Sequence, residues 1–448
     1  MTSMITKKTM EATSIINETI KLYRLEDKLS DVEKKFLGFE YNDKNLSLTD
    51  TQEIDHQLRY FTENYAYNIV NNVAVKVKNE LDSESKIVFN TYENSDLETF
   101  FVNRMALLLS NVNIIYKENK NITSLVCTLD YFKQCLNKGD NFSAELMWNE
   151  LVKTSLPLSE RTEFYLMSAL MFNALRNPMA AETMLNLIIS DDRIDNDHKF
   201  MRVKAMYILS MNYLRGNPEI FRDSKKAKSI LNEAYNILDL ELGNEYEFIK
   251  LFNRNGYALA LFQEGKTEEC IQIMEEKILA ISKIIDEKNK YYNLHKVVLV
   301  YNLYQCFKRD GQLRKAEDTL RKAISLDVND VEYRYDLVRF LIEYNRFEEA
   351  EKELIILENS FDYDVYYQNA YLGYVYFEKE DYNKAMNYFK KAYEYNHQLN
   401  NEEENLYNYL VTLKACNEMD EIKFLKKKYD NFKFSEFKEE IEEIFYEE

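Results

Sequence analysis

The sequence is poor in glycine and proline, with 8 glycines and 3 prolines in 448 residues. A β-sandwich or barrel needs many tight turns, and an α/β fold needs glycine where strands meet helices. The scarcity of both residues therefore favours long helices joined by short connections.

Cysteine and histidine are also scarce. The five cysteines include no CxxC pair, and the four histidines are far apart with no HExxH motif. A disulfide framework or a metal site built from closely spaced ligands is therefore not expected, and we predict no cofactor. This cysteine usage favours a reducing compartment, so we predict a cytoplasmic location.

Long apolar runs and a basic surface are lacking as well. No stretch approaches 18 apolar residues, and residues 1–29 lack the apolar segment of a signal peptide. The formal net charge is −19, and residues 1–110 carry 13 Lys and Arg against 18 Asp and Glu. A basic stripe for phosphates is missing there, so we expect neither a membrane partner nor a nucleic-acid partner.

Apolar and small residues instead recur with a period of 34 or 35 residues around the anchors Ala316, Ala350 and Ala385. Each anchor has a large apolar residue nine positions before it and another four positions after it. The fullest set surrounds Ala385 and consists of Leu372, Gly373, Tyr376, Phe389 and Ala392.

This pattern resembles the tetratricopeptide repeat, a helix–turn–helix unit of 34 residues. The segment "LGYVYFEKEDYNKAMNYFKKA" at 372–392 follows the family's order of residues on helix A and helix B nearly letter for letter. A small residue such as Gly373 would let the two helices approach closely. The resemblance implies an all-α fold, a right-handed superhelical solenoid of stacked helix pairs.

The repeat continues upstream with longer steps, at the anchors Ala144, Ala181, Ala227 and Cys270. Gly139, Gly265, Gly311 and Asn345 each lie five residues before an anchor, where helix A should end and a left-handed residue is favoured. We therefore predict a repeat array over residues 111–434, of about seven to eight helix pairs, most regular at 297–396.

The two ends of the chain do not repeat. Residues 1–110 are predicted to be a helical N-terminal region, with helices at roughly 9–27, 51–79 and 96–118. Residues 435–448 are rich in glutamate and are predicted to form an acidic capping helix, since the last repeat must present one face to water.

Candidate binding residues follow from the resemblance, because that family uses fixed positions of helix A to line its concave groove. Amide and guanidinium groups there can bond a peptide backbone, while aromatic rings receive its side chains. The family's carboxylate clamp is not matched, since its fifth position varies among Asn, Tyr and Ala here. Carried over by position, the groove residues are Asn255, Tyr301, Gln305, Lys308, Tyr335, Arg339, Tyr367 and Tyr374.

No catalytic constellation accompanies this pattern. The Gly-Lys-Thr at 265–267 has Ala260 where a phosphate-binding loop needs glycine. We therefore expect a scaffold without enzymatic activity that binds a short peptide or a protein in its groove. The alternatives are a peptide-sensing bacterial regulator that acts by protein–protein contact, and an accessory subunit that positions a substrate for a partner enzyme. Whether chains associate into a homo-oligomer is left open.

Overall fold

Contacts divide the chain into two compact units, Met1–Asp327 and Val328–Glu448, which we call unit 1 and unit 2. The computed structural model describes residues 2–446 apart from these gaps: 7–12, 52–64, 82–85, 92–94, 110–111, 117–127, 192, 194, 216–220, 243–245, 285–288, 359–364, 395–401, 431 and 435–436.

The first part of unit 1 combines helices with a small sheet. Its helices are α1 (Ser14–Tyr23), α2 (Asp31–Leu37), α3 (Tyr65–Asn79) and α4 (Asp96–Leu108). Its strands are β1 (Thr2–Thr6), β2 (Lys86–Thr91) and β3 (Val112–Tyr116), which pair in parallel in the order β1-β2-β3. In the register, Thr2 lies opposite Lys86 and Ile87 lies opposite Val112.

The sheet contributes directly to the core of this region. Ile87 and Phe89 of β2 are fully buried, and the Phe89 ring lies 6.2 Å from the ring of Phe101 on α4. The carboxylate of Glu98 joins two helices, since it accepts from Ser95 N at the start of α4 and, at 2.8 Å, from Ile15 N in α1. A buried carboxylate with such donors satisfies backbone N–H groups at the starts of two helices at once.

The prediction of helices alone for residues 1–110 needs correction. The predicted helix over 96–118 is wrong beyond Leu108, because Val112–Tyr116 form β3, and β1 and β2 were not predicted. The predicted helices at 9–27 and 51–79 correspond to the shorter α1 and α3, and part of each lies outside the described residues, as do His56 and Cys127.

Unit 1 continues with five helix pairs among its described residues. The anchors Ala144, Ala181, Ala227, Cys270 and Ala316 each lie on the second helix of a pair and are fully buried. The pairs are α5 (Leu129–Asn137) with α6 (Asn141–Leu151), α7 (Leu158–Ala174) with α8 (Pro178–Ile189), α9 (Asn196–Arg215) with α10 (Ser224–Ile237), α11 (Glu247–Gln263) with α12 (Thr267–Ile284), and α13 (Lys290–Arg309) with α14 (Leu313–Leu326).

Unit 2 contains three more pairs and a last helix in its described part. Ala350 and Ala385 are fully buried, as the repeat pattern requires. The helices are α15 (Val331–Glu343) with α16 (Phe347–Glu358), α17 (Val365–Glu378) with α18 (Tyr382–Glu394), α19 (Glu402–Ala415) with α20 (Met419–Lys428), and α21 (Lys438–Tyr446). Ile441, Ile444 and Phe445 of α21 join a core that includes Leu406 of α19, while the glutamates of α21 are exposed. The all-α solenoid class is confirmed for the repeats.

The turns inside the pairs behave as their sequences predict. Gly139, Gly265, Gly311 and Asn345 have φ of 69°, 78°, 76° and 57°, so the predicted left-handed helix ends are confirmed. A bond closes each turn, as in the 2.8 Å bond from Arg346 N to Leu341 O. This bond is the six-residue link of a Schellman end, and it lets helix B start at once.

Gly373 marks a close approach of two helices in unit 2. A Cβ atom placed there would lie 2.7 Å from the ring of Phe389 on α18. The prediction that a small residue at this position permits close packing is therefore confirmed.

In the part of the chain that the structure describes, no helix is both long and apolar enough to cross a membrane.

Candidate functional site

The eight predicted groove residues fall into two sets, one in each unit. All of them lie on the first helix of a pair, as the family positions require. Asn255 lies on α11, with Tyr301, Gln305 and Lys308 on α13, and unit 2 holds Tyr335 and Arg339 on α15 with Tyr367 and Tyr374 on α17.

Some of the residues of the set in unit 1 make hydrogen bonds within the protein. Asn255 is only 5% exposed, and its Oδ1 accepts a hydrogen bond of 2.9 Å from Asn302 Nδ2 on α13. Gln305 Nε2 donates to the Tyr301 hydroxyl at 2.9 Å. Tyr301, Gln305 and Lys308 are half-buried, so they present polar atoms to the surface, whereas Asn255 ties two helices together.

The set in unit 2 includes a group of stacked tyrosines. The Tyr335 ring centroid lies 6.0 Å from that of Tyr367 and 5.9 Å from that of Tyr371. Tyr367 and Tyr371 stack at 6.2 Å, with 20° between their planes. Tyr335 is 3% exposed and the other two are half-buried, so Tyr335 is the buried member of the group and Tyr367 and Tyr371 are partly accessible. We call Tyr335, Tyr367 and Tyr371 the tyrosine cluster.

One exposed cation stands beside the tyrosine cluster. Arg339 lies one turn after Tyr335 on α15, and its guanidinium pairs with Asp336. Burial raises the pKa of Tyr371 to about 12, and the Arg339 guanidinium opposes that rise. The Tyr371 hydroxyl therefore keeps its proton at neutral pH and can donate a hydrogen bond.

Tyr374 lies apart from these contacts. Its side chain is 42% exposed. Burial and then the charge of Glu378 raise the pKa of its hydroxyl. Tyr374 therefore offers a neutral, accessible phenol one helical turn from Tyr371.

Tyr371 and Asp336 were not among the predicted groove residues. Tyr371 falls outside the family positions that were carried over, although the run "YYQNAYLGY" at 366–374 contains four tyrosines in nine residues. This density of tyrosine was the sequence feature that could have identified Tyr371. Asp336 carried no signal, because acidic residues are frequent throughout the chain.

The chemistry of this surface is that of recognition. Aromatic faces, a phenol donor and a guanidinium can hold an apolar group beside a hydrogen-bond acceptor. Within the described residues, no group of three or more His, Cys, Asp or Glu side chains is placed to hold a metal ion.

Three solved structures with some likeness to this chain have TM-scores below 0.5. A Rap protein complexed with competence and sporulation factor is 12% identical, with a TM-score of 0.42 and coverage of 86% of this chain and 95% of that chain. Human IFIT1 is 13% identical, with a TM-score of 0.38 and coverage of 93% and 97%. Pseudomonas aeruginosa PilF is 15% identical, with a TM-score of 0.36 and coverage of 55% and 96%. Scores this low support no conclusion about function.

Sequence comparison is more specific for one part of the chain. A search of curated proteins found no match. A family model of the tetratricopeptide repeat matches residues 308–371, and a second model of the same description matches residues 371–398. These matches cover the segment in which the anchors recur every 34 or 35 residues and are fully buried. Residues 308–398 are therefore identified as tetratricopeptide repeats.

Proposed function

We propose that the protein binds a peptide, or an extended segment of a partner protein, at the tyrosine cluster of unit 2. The observation that carries this proposal is the placement of three neighbouring tyrosine rings and an exposed arginine on the first helices of two consecutive repeats. Tyrosine and arginine are the residue types that most often dominate binding energy at interfaces.

The arrangement favours a particular ligand chemistry. The exposed parts of Tyr367 and Tyr371 offer apolar ring faces, and an apolar side chain of the ligand would pack there. The Arg339 guanidinium carries donors for a carboxylate or a main-chain carbonyl next to that side chain. Asp336 holds this guanidinium on the surface, so the ligand shares Arg339 with an existing partner instead of meeting a free charge.

Binding of this kind requires no chemistry from the protein. A peptide-sensing regulator would be a narrower form of the same function, in which the bound peptide changes the arrangement of the repeats. An accessory subunit would use the same surface to hold a substrate for a partner enzyme. No contact within the described residues favours either form over simple recognition.

The test is selection of ligands from random heptapeptides displayed on phage, with the full chain as bait. Enriched peptides are then synthesised and titrated by calorimetry. We expect them to share an apolar residue beside an acidic residue or a free carboxylate. Tyr367→Ala and Arg339→Ala should each weaken binding about 10- to 100-fold, since hot-spot truncations cost roughly 1–3 kcal/mol.

Matched controls come from the second half of the same repeats. Tyr388→Ala removes a half-buried tyrosine of α18, and Arg346→Ala removes an arginine that pairs with Glu349 at the start of α16. Both should bind the selected peptides as the parent does. If the control variants lose as much affinity as the cluster variants, or if neither cluster variant loses any, the tyrosine cluster is not the binding site.

A further inference from the structure

We propose that Cys270 and Cys306 are a redox modification site, which hydrogen peroxide converts into an intrachain disulfide between two consecutive repeats. The two sulfur atoms lie 3.0 Å apart, with Cys270 near the start of α12 and Cys306 in the last turns of α13. Both residues belong to unit 1, and both are free thiols in the structure.

The position of Cys270 is unusual within the repeats. The corresponding anchor is alanine at every other repeat that the sequence pattern identifies, and each of these alanines is fully buried. Alanine would therefore fill this place in the packing, and the sulfur of Cys270 is not required for it. Cys306 belongs to the neighbouring pair and brings a second sulfur to the same point.

Little movement separates the thiols from a covalent bond. A disulfide bond is about 2.05 Å long, so the sulfur atoms must approach each other by roughly 1 Å, which small rotations about χ1 can provide. The two helices are neighbours in the chain and in space, and Cys270 and Cys306 are 0% and 2% exposed. No other side chain needs to leave the space between the two sulfurs for the bond to form.

A hydrogen bond joins the two thiols, and either sulfur can be its donor. This bond lowers the pKa of Cys270 and raises the pKa of Cys306, which favours Cys270 as the thiolate. The Cys270 thiolate attacks one oxygen of the peroxide; the O–O bond breaks, and the other oxygen leaves as water after taking up a proton. The sulfenic acid formed on Cys270 is then attacked by the Cys306 sulfur, which gives the disulfide and a second water. Overall, two thiols and one peroxide yield one disulfide and two waters.

Metal binding suits this pair less well than oxidation does. Structural zinc takes four ligands, and the described residues supply no third His, Cys, Asp or Glu around the two sulfurs. A disulfide needs only the two sulfurs that are present. It would tie the second helix of one pair to the first helix of the next, and that first helix, α13, also carries Tyr301, Gln305 and Lys308.

The experiment oxidises the native full chain with hydrogen peroxide, quenches it with a thiol-alkylating reagent, and maps cross-linked peptides by mass spectrometry without reduction. We expect one cross-link between the peptides that contain Cys270 and Cys306, a loss of two titratable thiols, and full reversal by dithiothreitol. Because both sulfurs are buried, the reaction should depend on brief opening of the α12–α13 contact and should run faster in mild denaturant.

Two variants serve as matched controls. Cys270→Ala restores the residue of the other anchors and should fold normally, but it should lose the cross-link and leave Cys306 reduced at the same peroxide dose. Cys416→Ala removes a half-exposed thiol in unit 2 and should leave the cross-link intact. Full alkylation of both cysteines after peroxide treatment of the native chain would overturn the proposal, and so would a cross-link that persists in Cys270→Ala through another cysteine.

Discussion

Asp140 allows a direct test of the electrostatics at the start of the repeats. It immediately precedes α6 and is fully buried, and its Oδ1 accepts from Ser143 N at 3.2 Å. Its Oδ2 is buried without a hydrogen-bond partner among the described residues. Burial, together with the nearby carboxylates Asp96 and Glu98, raises the pKa of Asp140 to about 6, and the bonds from Ser143 oppose the rise.

The substitution Asp140→Asn removes the charge and keeps the side-chain oxygen that caps α6. A carboxyl whose pKa is higher in the folded state stabilises the fold when protonated, and this contribution is lost as pH rises from the ordinary value of 3.8 through about 6. With a pKa shift of about 2 at 1.36 kcal/mol per pH unit, the ionised group costs about 3 kcal/mol at pH 7.5 and roughly half of that at pH 5. With asparagine at this position, the stability has no such dependence on pH.

Hydrogen exchange is the suitable assay, because a chain of two units need not unfold in one step. Peptides from α5 and α6 are compared between the parent and Asp140→Asn at the same pH, which cancels the intrinsic exchange rates. We expect the variant to be the more protected at pH 7.5, and its relative protection to grow about 10-fold between pH 5 and pH 7.5.

The control is Asp130→Asn on α5, which removes an exposed carboxylate from the same helix pair. Its relative protection should stay nearly constant across this range. If the relative protection of Asp140→Asn also stays constant between pH 5 and pH 7.5, or if the variant becomes less protected as pH rises, then Asp140 is not a buried charge and the argument from its surroundings fails.

Two further predictions concern the packing and turns of unit 2, and both are measured as hydrogen-exchange protection of peptides from α17 and α18. Gly373→Ala should cost about 1–2 kcal/mol, because overpacking against the rigid Phe389 ring exceeds the gain in helix propensity. Gly256→Ala is its control in unit 1, measured on peptides from α11, where the added methyl meets the flexible end of Met211 at 2.9 Å and an edge carbon of the Tyr207 ring at 3.1 Å and should cost less than Gly373→Ala; equal losses at both positions would contradict the packing argument. Glu380→Gly should stabilise by about 1 kcal/mol, since Glu380 has φ of 61°, whereas Glu378→Gly within α17 should destabilise by a similar amount. A loss of stability in Glu380→Gly would contradict the claim of strain.

The repeats could be predicted from the sequence because their determinants are local. A helix pair is specified by small residues such as Ala350 and Ala385, by large residues one or two turns away, and by a residue such as Gly311 that tolerates positive φ. All of these lie within one repeat length. The turns at Arg176 and Glu380 adopt the same positive φ without glycine, so their conformation is imposed by the flanking helices and left no mark in the sequence.

The sheet could not be predicted for the opposite reason. Each strand has five or six residues, and its partner is supplied by a distant part of the chain. Short apolar runs of this length suit a strand or a buried helix turn equally well. The tyrosine cluster could be predicted only in part. The repeat positions predicted Tyr335 and Tyr367, whereas Tyr371 is identified only by the ring distances between two helices.

The parallel pairing of β1 with β2 also has a consequence for how the molecule is made. Roughly 80 residues must close into a loop before the first strand finds its partner, and such closure is slow compared with the docking of adjacent helices. Helix pairs can form as soon as each emerges, while the segment at Thr2–Thr6 waits for Lys86–Thr91. Until residues 86–91 have been made, the segment at Thr2–Thr6 has no partner strand, and during that interval Ile5 and its neighbours are open to chaperones and proteases.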